Sequence, residues 1–168
     1  MSFIAGTGEL KRNAMITYVN VGEGETPTWE AVGVKIEDSS IEFNPETNQI
    51  TDILGINHAT VEKLQPQQSF DPFTIRKESK LAEKLFDIVA IQKDTTLLSQ
   101  FEVMIVYAFA GSEGKYTADK QTGCTIVANS LGGSNTLDMP IEIYYSNNST
   151  IGYVADIKNP TFTAGTAA

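Results

Sequence analysis

The stretch Phe70 to Gln92, FDPFTIRKESKLAEKLFDIVAIQ, constrains the fold more than any other. Leu81, Leu85, Ile88 and Val89 recur at three- and four-residue steps, the spacing of one helical face. Lys77, Glu78, Lys80, Glu83, Lys84 and Asp87 fill the other side. The remainder of the chain reads as strands and turns. A lone amphipathic helix in such a chain has only a sheet against which to bury its stripe. The pattern therefore predicts a mainly β fold flanked by one helix over about residues 77–92. Leu81, Leu85, Phe86, Ile88 and Val89 form the expected core face, and Ser79 the expected N-cap.

The 168 residues suffice for one domain with its own core. Met15 to Val21 reads as a first strand, and Gly22 to Pro27 as a loop. Trp29 to Asn44 is extended, but its alternation changes phase. Val32, Val34 and Ile36 share one parity, and Ile41 and Phe43 take the other. That slip predicts a bulge near Asp38 to Ser40. Asn44 to Asn48 is a turn cluster, and Gln49 to Leu54 and Ala59 to Leu64 are short strand-like pieces around Gly55. Gln100 to Ala110 carries apolar residues at both parities, Phe101, Val103, Ile105, Tyr107 and Phe109 against Met104, Val106 and Ala108. It reads as a strand buried on both faces. Tyr116 to Asn129, Met139 to Tyr145 and Thr150 to Ile157 complete the strands. Residues 1–14 and 159–168 lack periodicity and read as a flexible arm and tail. No internal repeat or second domain is visible.

The chemical inventory is thin. One histidine, His58, and one cysteine, Cys124, cannot supply a zinc site, which takes four such ligands. No nucleophile elbow and no phosphate-binding loop occurs. Gly22-x-Gly24 lacks the third glycine and the helix of a dinucleotide fingerprint. No cofactor or metal is expected, and no enzyme. A net charge of −9, from 12 basic and 21 acidic residues, argues against specific nucleic-acid binding, which needs cations to neutralise phosphates. No apolar run is long enough to span a bilayer, so no membrane insertion is expected. No basic stretch precedes an apolar one near the N-terminus, so no secretory leader is expected. The Asn147-Asn148-Ser149-Thr150 sequons then read as a turn.

Several segments in this order carry a resemblance. They are Ile16-Thr17-Tyr18-Val19, Trp29-Glu30-Ala31-Val32-Gly33 and Thr51-Asp52-Ile53-Leu54-Gly55, followed by Asp71-Pro72-Phe73 through Leu85-Phe86. Val106-Tyr107 and Met139-Pro140-Ile141-Glu142-Ile143 complete them. Across nearly the whole chain after the first dozen residues, this pattern resembles the major tail tube protein family of tailed bacteriophages. The resemblance implies a tail-tube-type β-barrel or sandwich that assembles into hexameric rings. The rings would stack into a passive conduit for double-stranded DNA within the virion tail, built in the bacterial host cytoplasm. Implied partners are further copies of the chain, a tape measure protein, a tail-tip or baseplate initiator and a tail terminator. Glu37, Asp38, Glu42 and Glu62 become candidate lumen-lining acids, repelling phosphates. Asn44, Glu46, Asn48, Ile50 and Leu54, in the segment Asn44 to Asn57, become a candidate ring-stacking loop, together with the arm 1–14. Val34 to Leu64 has few large apolar residues and reads as sheet that becomes buried on assembly. The same pattern suits the inner tube of a contractile tail, a phage-tail-like bacteriocin or a type VI secretion system. A β-sandwich carbohydrate-binding module is the alternative of another class. It would need an exposed aromatic platform from a chain with one tryptophan, Trp29.

Overall fold

The computed structural model describes residues 2–167. A 3₁₀ turn, Arg12–Ala14, precedes β1 (Met15–Asn20), β2 (Trp29–Val32), β3 (Ile41–Glu42), β4 (Glu46–Thr51), β5 (Asn57–Lys63) and β6 (Gln67–Phe70). Then come α1 (Lys80–Phe86), a π-helical turn Asp87–Gln92, a 3₁₀ turn Leu97–Ser99, β7 (Phe101–Ser112), β8 (Lys115–Ala128), β9 (Ile141–Tyr144), β10 (Ser149–Val154) and β11 (Thr163–Ala164). The protein is mainly β with one α-helix, and its large sheet curls into a half-barrel. That sheet runs β2-β1-β7-β8-β9-β6-β3, with β10 and β11 branching from β8, and every ladder is antiparallel. β4 and β5 form a separate two-stranded sheet. No helix among the described residues is long and apolar enough to cross a membrane.

The branch arises from one long strand with two neighbours on the same side. Tyr116–Gln121 of β8 pairs with β10, whereas Thr125–Ala128 pairs with β9. Between these halves the β7–β8 register slips by one residue, from Val103↔Gln121 to Phe101↔Cys124, and Gly123 takes φ +70°. An extra residue on one strand bends it and raises its twist. The bend turns β9, β6 and β3 away from β10. A second slip, between Tyr107 and Gly111, leaves residues 108–110 of β7 without β8 as partner before Gly111 and Ser112 rejoin it. Residues 2–4 occupy this gap: the Ile4 amide donates to the Phe109 carbonyl at 2.8 Å, and Phe3 bridges to Ala110.

β7 separates two cores, as its double apolar parity demands. Val103 and Ile105 join Val19, Phe70, Leu85, Ile126 and Ile143 in the larger core, closed by the helix. Met104 and Val106 face the other way, packing with Tyr18, Ala118 and Val154 beneath Trp29, Ile157 and Phe162. The segment holding Ile157 and Phe162 lies close on the sheet because position 152 is glycine; a Cβ there would collide with the Phe162 ring and the Thr163 carbonyl. The Tyr18 hydroxyl donates to the Ile157 carbonyl across this layer.

The helix begins at its expected cap. Ser79 Oγ accepts from the Ala82 amide at 3.2 Å. No Glu or Gln follows three residues later to complete a capping box. Glu30 of β2 supplies the missing carboxylate, accepting from the Ser79 hydroxyl at 2.6 Å and from the Leu81 amide at 3.0 Å. A negative charge here also suits the helix dipole, and the pair ties the helix to the sheet edge. Leu81, Ala82, Leu85 and Ile88 are buried, and Val89 is half-buried. Phe86, expected on the core face, is 40% exposed. It follows Leu85 by one step of about 100° around the axis and so leaves the stripe, while small Ala82 lets the helix sit close. After Phe86 the hydrogen bonding widens to the π pattern.

The expected bulge near Asp38 to Ser40 is replaced by a loop, residues 33–40. Gly33 (φ +136°) and Lys35 (φ +61°) reverse the chain there, with the Ile36 amide donating to the Gly33 carbonyl at 3.1 Å. Left-handed residues thus carry the change of parity, and β2 and β3 never join as one strand. Ser39 in this loop enters a buried polar cluster that links the two arms of the sheet. Gln68 Oε1 accepts from the Thr17 hydroxyl at 2.9 Å and the Tyr145 hydroxyl at 2.7 Å. Gln68 Nε2 donates to Ser39 Oγ at 3.1 Å, and Ser39 Oγ donates to the Ser69 carbonyl at 2.7 Å. Burial pushes the Tyr145 phenol upward, so it stays protonated and remains a donor. Gln68→Ala should strand two buried hydroxyls at roughly 1–3 kcal/mol each. A loss of about 2–6 kcal/mol and a fall in Tm of about 4–24 °C is expected in a thermal melt. An unchanged melt would show that the cluster contributes no stability.

Candidate assembly surface

Every residue of β4 and β5 is exposed, on both faces of the hairpin. The register explains why no side is buried. One face pairs Asn48 with Thr60 and Ile50 with His58; the other carries Thr47, Gln49, Ala59 and Val61. Neither is an apolar stripe that the body could cover. Such a hairpin is marginal alone and is held by its ends. At the base, the Gln65 amide donates to the Phe43 carbonyl at 2.8 Å and Asn147 Nδ2 to the Leu64 carbonyl at 2.9 Å. Lys63 pairs with Glu46 at 2.9 Å.

The tip is ordered by one carboxylate. Asp52 Oδ1 accepts from the Leu54 amide at 2.8 Å and the Ile56 amide at 3.0 Å, and Oδ2 meets His58 Nε2 at 2.9 Å. The His58 contact, then the Ile56 amide, holds the Asp52 carboxyl below the usual range. Gly55 turns the chain at φ +77°. This framework presents Ile53, 102% exposed, and Leu54, 78% exposed, directly to solvent. Ile50, Ile56 and Val61 are each more than half exposed behind them. Exposed apolar groups clustered on a projection mark an interaction site more often than a free surface.

The residues singled out in sequence for ring stacking lie on this hairpin. Asn44 (φ +43°) sits at its base, Glu46, Asn48 and Ile50 are on β4, and Leu54 is at the tip. The segment read as a loop is therefore strand and turn. Ile53 and Ile56 were missed, although an apolar Ile-Leu-Gly-Ile where a turn would normally be polar was a usable signal. The candidate lumen acids are all exposed but not gathered on one strand. Glu37 and Asp38 are in the loop 33–40, Glu42 on β3 and Glu62 on β5.

Beside β2 lies a cleft of about 430 Å³, walled by Met15, Ile16, Val32, Val34, Ile36 and Phe70, with Arg12 and Glu37 among its polar lining. Arg12 fixes one side, donating to the Ser39 carbonyl at 2.9 and 3.1 Å and to the Met15 carbonyl at 2.7 Å. Val34 is 49% exposed at the mouth. Neither potentially reactive side chain is poised for chemistry. Cys124 is buried, and burial raises its thiol pKa away from the reactive thiolate. His58 is engaged with Asp52 on the exposed hairpin. Among the described residues, no group of three or more His, Cys, Asp or Glu is placed to hold a metal ion.

No protein-family model matches the sequence, and no curated protein matches it. Solved structures share its fold. A chain in the cryo-EM structure of the anti-feeding prophage baseplate, six-fold symmetrised, aligns with a TM-score of 0.52 at 16% identity, covering 88% of this chain and 97% of that one. A chain in the sheath/tube terminator of PVC, an extracellular contractile injection system, in its extended state aligns at 0.51 and 11% identity, covering 88% and 99%. One from the tube-terminating cap of the anti-feeding prophage aligns at 0.50 and 15% identity, covering 90% and 96%. This chain therefore shares the fold of those chains, and on it carries an exposed, apolar-tipped hairpin.

Proposed function

We propose that the chain is a structural tail component, a subunit that polymerises as stacked hexameric rings into a tail tube and has no catalytic step. The observation that carries this reading is the β4–β5 hairpin. A fold shared with tail and injection-system structures extends a projection that its own body does not bury, and the projection ends in Ile53 and Leu54. Its partners would be its own copies, a tape measure protein, a tail-tip or baseplate initiator and a terminator. The tube would conduct double-stranded DNA passively in a virion tail. The inner tube of a contractile particle is the second reading, favoured because the fold neighbours come from contractile injection systems. A carbohydrate-binding module gains little: Trp29 packs against the second core, and the exposed aromatics Phe3, Phe43, Phe86 and Tyr144 lie on separate elements.

The deciding experiment is negative-stain electron microscopy of concentrated protein, with its mass in solution. Six-fold rings or hollow tubes are the expected outcome. A monomer at all concentrations that binds glycans would replace the reading with the binding module. If Glu37, Asp38, Glu42 and Glu62 line the lumen, reversing Glu37, Asp38 and Glu42 to Lys keeps tubes intact and slows DNA ejection, because added cations attract phosphates. Unchanged ejection kinetics would remove these acids from the channel wall.

A further inference from the structure

We propose that the cleft beside β2 is the socket for the hairpin tip of a second copy of this chain. The inference rests on the reading of the chain as a self-assembling subunit, and adds the surface that receives the projection. Two apolar features stand apart on one molecule. The knob is Ile53 and Leu54; the socket is walled by Met15, Ile16, Val32, Val34, Ile36 and Phe70. A cavity of roughly 150 Å³ already holds a benzene-sized body, so about 430 Å³ accommodates two branched aliphatic side chains.

The topology favours a second copy over self-insertion. The socket loop, residues 33–40, runs through β3 into the base of the hairpin. Six residues of β4, at about 3.3 Å each, carry the tip about 20 Å from that base. A tip held that far from the segment leading back to its own socket loop is available to the cleft of a neighbouring copy. Size is also adequate. Phe43 to Gln65 spans 23 residues, and a stable interface engages about 20–30 residues a side. A knob meeting a pocket elsewhere on an identical molecule is a head-to-tail contact that need not close on itself. It propagates, as a stack of rings must.

The test mixes two single-substitution chains, Ile53→Cys and Val34→Cys, tagged to differ in mass. They are combined at a concentration where the parent assembles, then bridged by oxidation or a short bis-maleimide. The native Cys124 is buried and stays out of the reaction. The expected product is a covalent heterodimer, lost when Leu54→Asp is added to the Ile53→Cys chain. Leu54→Asp alone should raise the concentration needed for assembly roughly ten- to a hundredfold, the loss expected for one buried leucine side chain. Assemblies that form without the heterodimer overturn the socket and leave the self-assembly reading standing. Protein that stays monomeric by mass at every concentration, with no covalent product, overturns both.

Discussion

Leu85→Asp should leave no folded protein. Leu85 is fully buried between the helix and the sheet, among Leu81, Ile88, Phe101 and Ile126 of the larger core. The substitution removes an isobutyl group and leaves a cavity, at about 3–5 kcal/mol by comparison with other buried leucines. It also places a carboxyl where the wall is apolar, adding several kcal/mol whether the group ionises or takes up a proton. A domain of this size has a stability of about 5–15 kcal/mol, so the sum removes most or all of it. Expression in the insoluble fraction, or a circular-dichroism spectrum without a cooperative melt, is the expected readout. Phe86→Asp, one residue on, is the control. Its side chain is already 40% exposed, and the loss should stay below about 1 kcal/mol. A soluble Leu85→Asp protein melting at the parent temperature would mean that the helix does not seat on the sheet as described.

Replacing Glu46–Lys63 by a short Gly-Ser linker should have the opposite profile. The hairpin buries none of its residues against the body, and its base strands run side by side, so the chain can be reclosed across a short gap. Losing it should change stability by under about 1 kcal/mol, a shift of roughly 2–4 °C in Tm for a chain of this length. Assembly should fail completely, because the apolar projection that ends in Ile53 and Leu54 is gone. Calorimetry and electron microscopy on one preparation separate the two effects. Normal rings and tubes from the shortened chain would end the assignment of the hairpin to assembly.

The architecture was legible where burial imposes a period. β7 announced itself by apolar residues at both parities, because it lies between two cores. The helix announced itself by Leu81, Leu85 and Ile88, and Ser79 by its chemistry. What stayed hidden depends on groups far apart in sequence. Glu30 completes the helix cap from 49 residues away through Ser79. The slip at Gln121–Cys124, where β8 changes partner, leaves no mark on hydrophobic alternation beyond a glycine. The phase change before Ile41 was visible, but a bulge and a loop displace parity alike, and only the backbone angles at Gly33 and Lys35 separate them. Phe86 was misplaced because an aromatic next to a stripe looks like part of it. The candidate site was half legible. The polar faces of β4 and β5 signalled sheet that the monomer does not bury, whereas the socket draws on β1, β2, the following loop and β6, which no local pattern unites.

The strand order also sets a timetable. β4 and β5 are separated by a short turn and can pair within about 1–10 µs of leaving the ribosome. β1 must wait for β7: Val19 pairs with Val103, 84 residues later, an interval of roughly 4–17 s at about 5–20 residues per second. Phe70 on β6 is held by β9, which is made later still. A nascent chain therefore has the residues of its knob outside the ribosome long before its socket exists, although the anchor from Asn147 to the hairpin base also waits for the later strands. If knob and socket pair as proposed, growing chains could dock on finished subunits but not receive them, and polymerisation would gain its second end only when translation of the sheet is complete.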